Sequence, residues 1–102
     1  MTAPESRESR DDRCVRMLSE HDGAIRRLSA SYERDPSRRQ DLVQDIWLAV
    51  WQALSRFRDE CSERTFVYRI AHNRAVSHVE HWQRRRTDPL DDEAPIAASG
   101  AD

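Results

Sequence analysis

The 102-residue sequence has no lysine and only two glycines. All 17 basic side chains are arginine, whose planar guanidinium suits phosphates and carboxylates, although an arginine-biased proteome explains the missing lysine equally well. Two glycines are too few for a loop that cradles a phosphate, and the GxSxG, P-loop and HExxH motifs are absent. The sequence therefore argues against an enzyme and predicts no cofactor.

Cysteine is also scarce, and long apolar runs are missing. Cys14 and Cys61 have no CxxC or CxxxH partner nearby, which argues against a disulfide framework and against a zinc site. The histidines of the C-terminal half are His72, His78 and His81, but thiol and carboxylate partners at ligand spacing are lacking, so we predict no metal. Without a stretch of signal-peptide or membrane-spanning length, we expect a soluble cytoplasmic protein with no membrane association.

Charge is distributed unevenly along the chain, whose net charge is -2. Residues 14–87 contain fourteen arginines and ten acids, whereas residues 88–102 contain five acids and no base. The length is enough for one compact domain, and charged residues are nearly as frequent as hydrophobic ones. We therefore predict a flexible N-terminus (1–11), one folded domain (12–86) and an acidic linker or tail (87–102).

Apolar periodicity predicts three main helices and no strand. We expect the three helices to pack into a compact all-α bundle with disordered termini. The first helix runs over about 12–34 and is ended by the proline-containing segment 35–37. The second helix continues to about residue 56, and the polar segment 57–64 follows it as a loop. The third helix runs over about 65–86, and its charge is almost wholly positive.

Each predicted helix has apolar residues at helical spacing that we expect to be buried. In the first helix they are Val15, Leu18, Ile25, Leu28 and Tyr32. In the second they form a stripe wide enough for two neighbouring helices: Leu42, Val43, Ile46, Trp47, Val50, Trp51 and Leu54. In the third they are Phe66, Val67, Ile70, Ala71, Val76, Val79 and Trp82. Ser37, after the proline, is the predicted N-cap of the second helix.

Two strings stand out, DLVQDIWLAVWQALSRFR (41–58) and TFVYRIAHNRAVSHVEHWQRRR (65–86). Their order and separation resemble region 2 of the extracytoplasmic-function sigma factors of bacterial RNA polymerase. The family pattern is an acidic D-L-x-Q-[DE] helix, a loop, and an aromatic residue followed by R-I-A-x-N and a basic end. The resemblance covers roughly residues 18–86.

The resemblance implies that the polar side of the second helix docks on the coiled-coil clamp helices of the polymerase β′ subunit. Carried over by position, the polymerase-binding residues are Asp41, Gln44, Asp45 and Leu48. An acid and amide face around an exposed leucine also suits a clamp surface that offers arginine. A merely solvated face explains the acids but not an outward leucine.

The loop and third helix resemble the element that captures the non-template strand of the promoter -10 element. By that resemblance, the loop from Arg58 to Arg64 shapes a base pocket, Asn73 reads a base edge, and Phe66 replaces the usual tryptophan. Independently, a basic helix that begins with Phe66 and Tyr68 suits nucleic acid, although an ordinary solvated arginine face is the competing explanation. The implied DNA-binding residues are Arg58, Ser62, Arg64, Phe66, Arg69, Asn73, Arg74, Arg84, Arg85 and Arg86.

These expectations describe a transcription initiation module that binds core RNA polymerase and the -10 element, assists strand opening, and has an anti-sigma factor as a further partner. The alternative is a decoy or adaptor for polymerase or an anti-sigma factor without productive DNA binding. A metal-responsive helical regulator that uses the histidines is a third interpretation. Family members carry a second domain after an acidic linker, so here that domain has either been removed or is naturally absent.

Overall fold

The computed structural model describes residues 8–87, which form three α-helices. Helix α1 spans Arg10–Tyr32, α2 spans Pro36–Leu54 and α3 spans Glu63–Thr87. The all-α prediction is confirmed, since the described part of the chain contains no strand. Of the predicted flexible N-terminus (1–11), residues 1–7 lie outside the described residues, whereas Ser9 caps α1 and Arg10 and Asp11 lie in its first turn. The predicted acidic tail (87–102) lies outside them except for Thr87, the last residue of α3. Over residues 8–87, no helix has both the length and the apolar character of a membrane span.

The start of α2 differs from the prediction by its cap. Asp35 is the N-cap, and its carboxylate accepts a hydrogen bond from the Arg38 backbone N–H at 2.9 Å. Pro36 then occupies the first helical turn, where a missing N–H leaves no hydrogen bond unmade. The prediction of Ser37 as N-cap was wrong because a proline in this position belongs to the helix rather than preceding it.

Helix α3 begins two residues earlier than predicted. The Ser62 hydroxyl accepts a hydrogen bond from the Thr65 backbone N–H at 3.1 Å, which is the N-capping geometry. Because α2 also ends two residues before its predicted end, the connection covers residues 55–62 and keeps the predicted length. Asp59 within it adopts a positive φ of 59°. Aspartate tolerates this left-handed conformation better than most residues with a side chain.

The core lies where the three helices meet, and α2 supplies half of it. Its buried hydrophobic residues are Cys14, Met17, Ile25, Leu42, Val43, Ile46, Trp47, Val50, Leu54, Val67, Ala71 and Ala75. The broad stripe predicted for α2 is confirmed for all its members except Trp51, which is half-buried. Helix α3 contributes two alanines to the core, and such small side chains allow close approach of its backbone to α2.

The burial predicted for the start of α1 was wrong. Val15 is 67% exposed and Leu18 is 39% exposed, whereas Cys14 and Met17 point into the core. Cys14 and Met17 share the helical face of the buried Ile25. The prediction used aliphatic and aromatic residues and therefore omitted this thiol and this thioether, although both side chains pack well in cores. Val15 follows Cys14 directly in the helix and therefore falls on its flank.

Two buried or half-buried glutamates connect the helices at opposite ends of the bundle. Glu63, in the first turn of α3, accepts hydrogen bonds from Arg16 at 2.8 Å and from Arg13 at 2.7 Å, both on α1. The hydrogen bonds from Arg16 and Arg13 outweigh the effect of burial and lower the pKa of Glu63 to about 2. At the other end, Glu33 joins the end of α1 to α2 through Arg38 and to α3 through His78.

Candidate functional site

The outer ridge of α2 carries the four residues predicted to bind polymerase. Asp41, Gln44 and Leu48 are exposed, and Asp45 is half-buried as a whole residue although its side chain is 39% exposed. Leu48 is 54% exposed although the adjacent Trp47 is buried, so the expected outward leucine is confirmed. The ridge therefore presents two carboxylates and an amide around one apolar side chain.

Asp45 forms an ion pair that the sequence did not predict. Its two carboxylate oxygens accept hydrogen bonds from Arg74 of α3, from Nε at 2.8 Å and from Nη2 at 3.1 Å. A residue predicted to bind polymerase is thus bonded to one predicted to bind DNA. The two residues lie 29 positions apart, and only the crossing of α2 and α3 brings them together.

An open groove lies between α2 and α3 next to this ion pair. It has a volume of about 270 Å³ and is lined by Asp41, Leu42, Asp45, Arg74, Ser77, His78, His81 and Trp82. Both ridge carboxylates line it, together with a single arginine among the described residues. The two carboxylates of the groove can therefore bind a cationic side chain if the ion pair between Asp45 and Arg74 is broken.

The opposite flank of the ridge faces α1. Two indole N–H groups of α2 bond to carboxylates of α1: Trp51 donates to Asp11 at 2.7 Å and Trp47 donates to Asp22 at 3.0 Å. The exposed Val15 and Leu18 lie at helical spacing between these two aspartates on α1. Their exposure was missed because the sequence pattern assigned Val15 and Leu18 to the core.

Where the sequence predicted a base pocket, the structure has two aromatic rings, one from the connection between α2 and α3 and one from the first turn of α3. The rings of Phe57 and Phe66 are stacked, with centroids 4.1 Å apart and planes inclined by 23°. They line a depression of about 380 Å³ with Ala53, Arg56, Glu60, Cys61 and Arg69. Of the predicted loop residues, Arg58 is exposed and does not line this depression, and Ser62 caps α3.

A second depression lies beside the first on the exposed side of α3. It has a volume of about 530 Å³ and is lined by Arg64, Thr65, Tyr68 and Arg69. The Arg64 guanidinium lies 5.3 Å from the centroid of the Tyr68 ring. Arg69 lines both depressions, so an arginine separates two aromatic surfaces. Arg64, predicted to belong to the loop pocket, lies instead next to Tyr68.

The remaining predicted DNA-binding residues follow α3 toward its C-terminal end. Asn73, Arg84 and Arg86 are exposed. Arg85 is half-buried, and its guanidinium lies 5.5 Å from the ring centroid of Trp82, which Arg38 contacts at 4.5 Å. The Trp82 ring thus contacts one arginine of α2 and one of α3. Arg85, predicted to bind DNA, is one of these two.

The histidines of α3 contact aromatic and acidic side chains. His72 Nδ1 is 2.8 Å from the Tyr32 hydroxyl, His78 bonds to Glu33, and the His81 ring lies edge-on to Trp82. Within residues 8–87, no group of three or more histidine, cysteine or acidic side chains is arranged to hold a metal ion.

Comparison with known proteins identifies the family to which these surfaces belong. No curated protein and no solved structure matches the chain. The family model described as sigma-70 region 2 matches residues 17–86, which is more than half of the chain and includes all of α2 and nearly all of α3. The chain therefore belongs to the sigma-70 region 2 family.

Proposed function

We propose that this chain is the region 2 module of an extracytoplasmic-function sigma factor that acts in the cytoplasm. It binds core RNA polymerase through α2, binds the promoter -10 element through α3, and assists strand opening. The observation that carries the proposal is the placement of an acidic ridge and a basic, aromatic surface on adjacent helices of one core. The module catalyses no reaction, because preferential binding of the unstacked strand is enough to favour the open state.

The ridge of α2 supports the polymerase part of the proposal. Asp41 and Asp45 provide charge for arginines of the β′ clamp helices, and Leu48 provides an apolar contact at the centre. Val15 and Leu18 are further exposed apolar side chains, on α1. An exposed apolar group rimmed by polar residues is typical of protein interaction surfaces, and an anti-sigma factor that competes with polymerase would use the same ridge.

The connection before α3 and the first turns of α3 support the DNA part of the proposal. The stacked Phe57 and Phe66 form one aromatic surface, Tyr68 forms another, and Arg69 stands between them. Aromatic faces accept unstacked bases of any sequence, while arginines neutralise the phosphates between them. Asn73, one turn further along the exposed side, offers an amide that suits an adenine edge.

One observation favours the alternative, a decoy or adaptor that binds polymerase or an anti-sigma factor without productive DNA contact. Arg74 and Arg85, both assigned to DNA, are engaged by Asp45 and Trp82 within the protein. DNA binding distinguishes the two functions, because only a sigma module gains affinity for the -10 strand in complex with core polymerase.

Substitution of Asp45 by arginine tests the polymerase surface. We expect affinity for a β′ clamp fragment to fall by about tenfold or more, because like charges would then face each other across the interface. The free energy of unfolding should fall by no more than about 1 kcal/mol, since the Asp45–Arg74 pair is exposed. Titration by calorimetry and thermal melting measure the two effects.

Glu80→Arg is the matched control for this substitution, because it makes the same charge change on an exposed residue of α3. The control should retain full affinity for the clamp fragment. Equal affinity of Asp45→Arg and the parent chain would refute the assignment of the ridge to polymerase.

Two substitutions on α3 separate base reading from phosphate binding. Arg69→Gln should weaken binding to every single-stranded oligonucleotide and reduce the salt slope by roughly 0.7, the value expected when one phosphate is no longer neutralised. Asn73→Ala should retain general binding and reduce the preference for one base by about 1–3 kcal/mol. Fluorescence anisotropy with an oligonucleotide panel at several salt concentrations, using the chain with core polymerase, measures both. If both variants weaken all oligonucleotides by the same factor, the base-reading assignment is wrong.

A further inference from the structure

The carboxylate of Asp45 belongs to both functional surfaces. We propose that polymerase binding and DNA binding are coupled by exchange of this carboxylate: a cationic side chain of polymerase takes Asp45 and thereby releases Arg74 to a DNA phosphate. The inference rests on the proposed function and adds to it an internal contact that restrains DNA binding until polymerase is bound.

The geometry of the pair explains how it restrains Arg74. Nε and Nη2 of Arg74 both donate to Asp45, so one edge of the guanidinium fork is fully used. Arginine binds phosphate most strongly through such a pair of parallel N–H groups, and the paired edge is therefore withheld from DNA. The negative charge of Asp45 beside it also cancels part of the attraction to a phosphate.

The surroundings of the pair explain why polymerase can break it. The side chains of Asp45 and Arg74 are 39% and 47% exposed, and exposed ion pairs contribute little to stability. The groove next to them is open, and Asp41 lines it one helical turn before Asp45. An incoming cationic side chain would therefore have a second carboxylate in the same groove, whereas the hydrogen bonds of Arg74 go to Asp45.

Thermodynamic linkage makes the coupling between polymerase binding and DNA binding reciprocal. If polymerase raises the affinity for DNA through this exchange, DNA must raise the affinity for polymerase by the same factor. Because the contact that is exchanged is an exposed ion pair, the expected factor is about twofold to fivefold. The exchange therefore adjusts promoter binding and does not switch it fully on or off.

Asp45→Asn tests the exchange, with Asp41→Asn as its matched control. Both variants remove one negative charge from the same ridge, but only Asp45 is bonded to Arg74. Affinity for a fluorescent -10 single strand is measured for the 102-residue chain alone and with enough β′ clamp fragment to saturate each variant. Thermal melting confirms that each variant is folded.

We expect Asp45→Asn to bind the strand about twofold to fivefold more tightly than Asp41→Asn when the clamp fragment is absent. The clamp fragment should increase the affinity of the parent and of Asp41→Asn by more than it increases that of Asp45→Asn. With Arg74→Gln added to each variant, the difference between Asp45→Asn and Asp41→Asn should disappear, because the released group is then missing.

Equal gains from Asp45→Asn and Asp41→Asn would overturn the exchange, since general charge removal would then account for both. A difference that persists with Arg74→Gln would also overturn it. If the parent chain fails to bind the strand even with the clamp fragment, the proposed DNA-binding function is itself overturned, and the exchange with it.

Discussion

Substitution of Trp47 by alanine is expected to unfold the domain or to leave it barely stable. Trp47 is only 7% exposed and lies in the middle of α2, the helix that supplies half of the core. Removing a buried tryptophan side chain typically costs about 3–5 kcal/mol, and the total stability of small domains is about 5–15 kcal/mol. The substitution also removes the indole N–H that donates to Asp22. Urea and thermal unfolding followed by circular dichroism measure the decrease in stability.

Trp51→Ala is the matched control on the same helix. Trp51 is half-buried, and its ring is covered on the outside by the Arg10 guanidinium at 4.0 Å from the centroid. Its replacement removes less buried area, so this variant should remain folded with a smaller decrease in stability. Equal destabilisation by the two substitutions would show that the difference in burial between the two tryptophans has no energetic consequence.

The two tryptophans also show how far the sequence could predict the core. The stripe of α2 is continuous, so periodicity identified its buried residues, but it assigned both tryptophans the same role. Their environments differ, since Trp47 is buried and Trp51 half-buried although both donate to aspartates of α1. Periodicity within α2 carries no information about α1. On α1 itself, the apolar side chains of Val15 and Leu18 led to the prediction that their face is buried. The buried face of α1 is instead the one that carries Cys14 and Met17.

The candidate site could also be predicted only as far as single helices allow, because contacts between helices cannot be read from spacing along the chain. Helical spacing placed Asp41 and Asp45 on the outer side of α2, and the resemblance to sigma region 2 added Leu48, whose outward position the structure confirms. The pairing of Asp45 with Arg74 depends on the crossing of two helices, which spacing along the chain does not encode. The roles of these residues in binding polymerase and DNA stay predictions that the proposed measurements test.

Substitution of Glu33 by glutamine is the other change for which we expect a large decrease in stability. It is 7% exposed, and its carboxylate accepts hydrogen bonds from Arg38, from His78 and from the Asp35 backbone N–H. Burial raises the pKa of Glu33, but the hydrogen bonds from Arg38, Asp35 and His78 outweigh burial and lower the pKa to about 2. Breaking a buried ion pair by removing one partner costs about 3–5 kcal/mol, so Glu33→Gln should strongly destabilise the domain at neutral pH.

The acid dependence follows from the lowered pKa. Because the folded pKa of about 2 lies below the ordinary glutamate value of 4.5, the Glu33 contribution is complete above about pH 5 and disappears as the pH falls toward 2. Glu63 contributes with the same sign, since its pKa is also lowered to about 2. The parent should therefore become less stable over this pH range with contributions from both glutamates.

Glu33→Gln should reduce this acid sensitivity, because among residues 8–87 only Glu63 then has a pKa lowered to about 2. The stability difference between parent and Glu33→Gln should be largest near pH 7 and should shrink steadily between about pH 5 and pH 2. Urea unfolding at a series of pH values measures it, with Glu60→Gln, an exposed loop substitution, as the control that should leave stability at pH 7 nearly unchanged. A difference between parent and Glu33→Gln that stays constant from pH 7 to about pH 2 would mean that the carboxylate of Glu33 is not held in its charged form by Arg38 and His78.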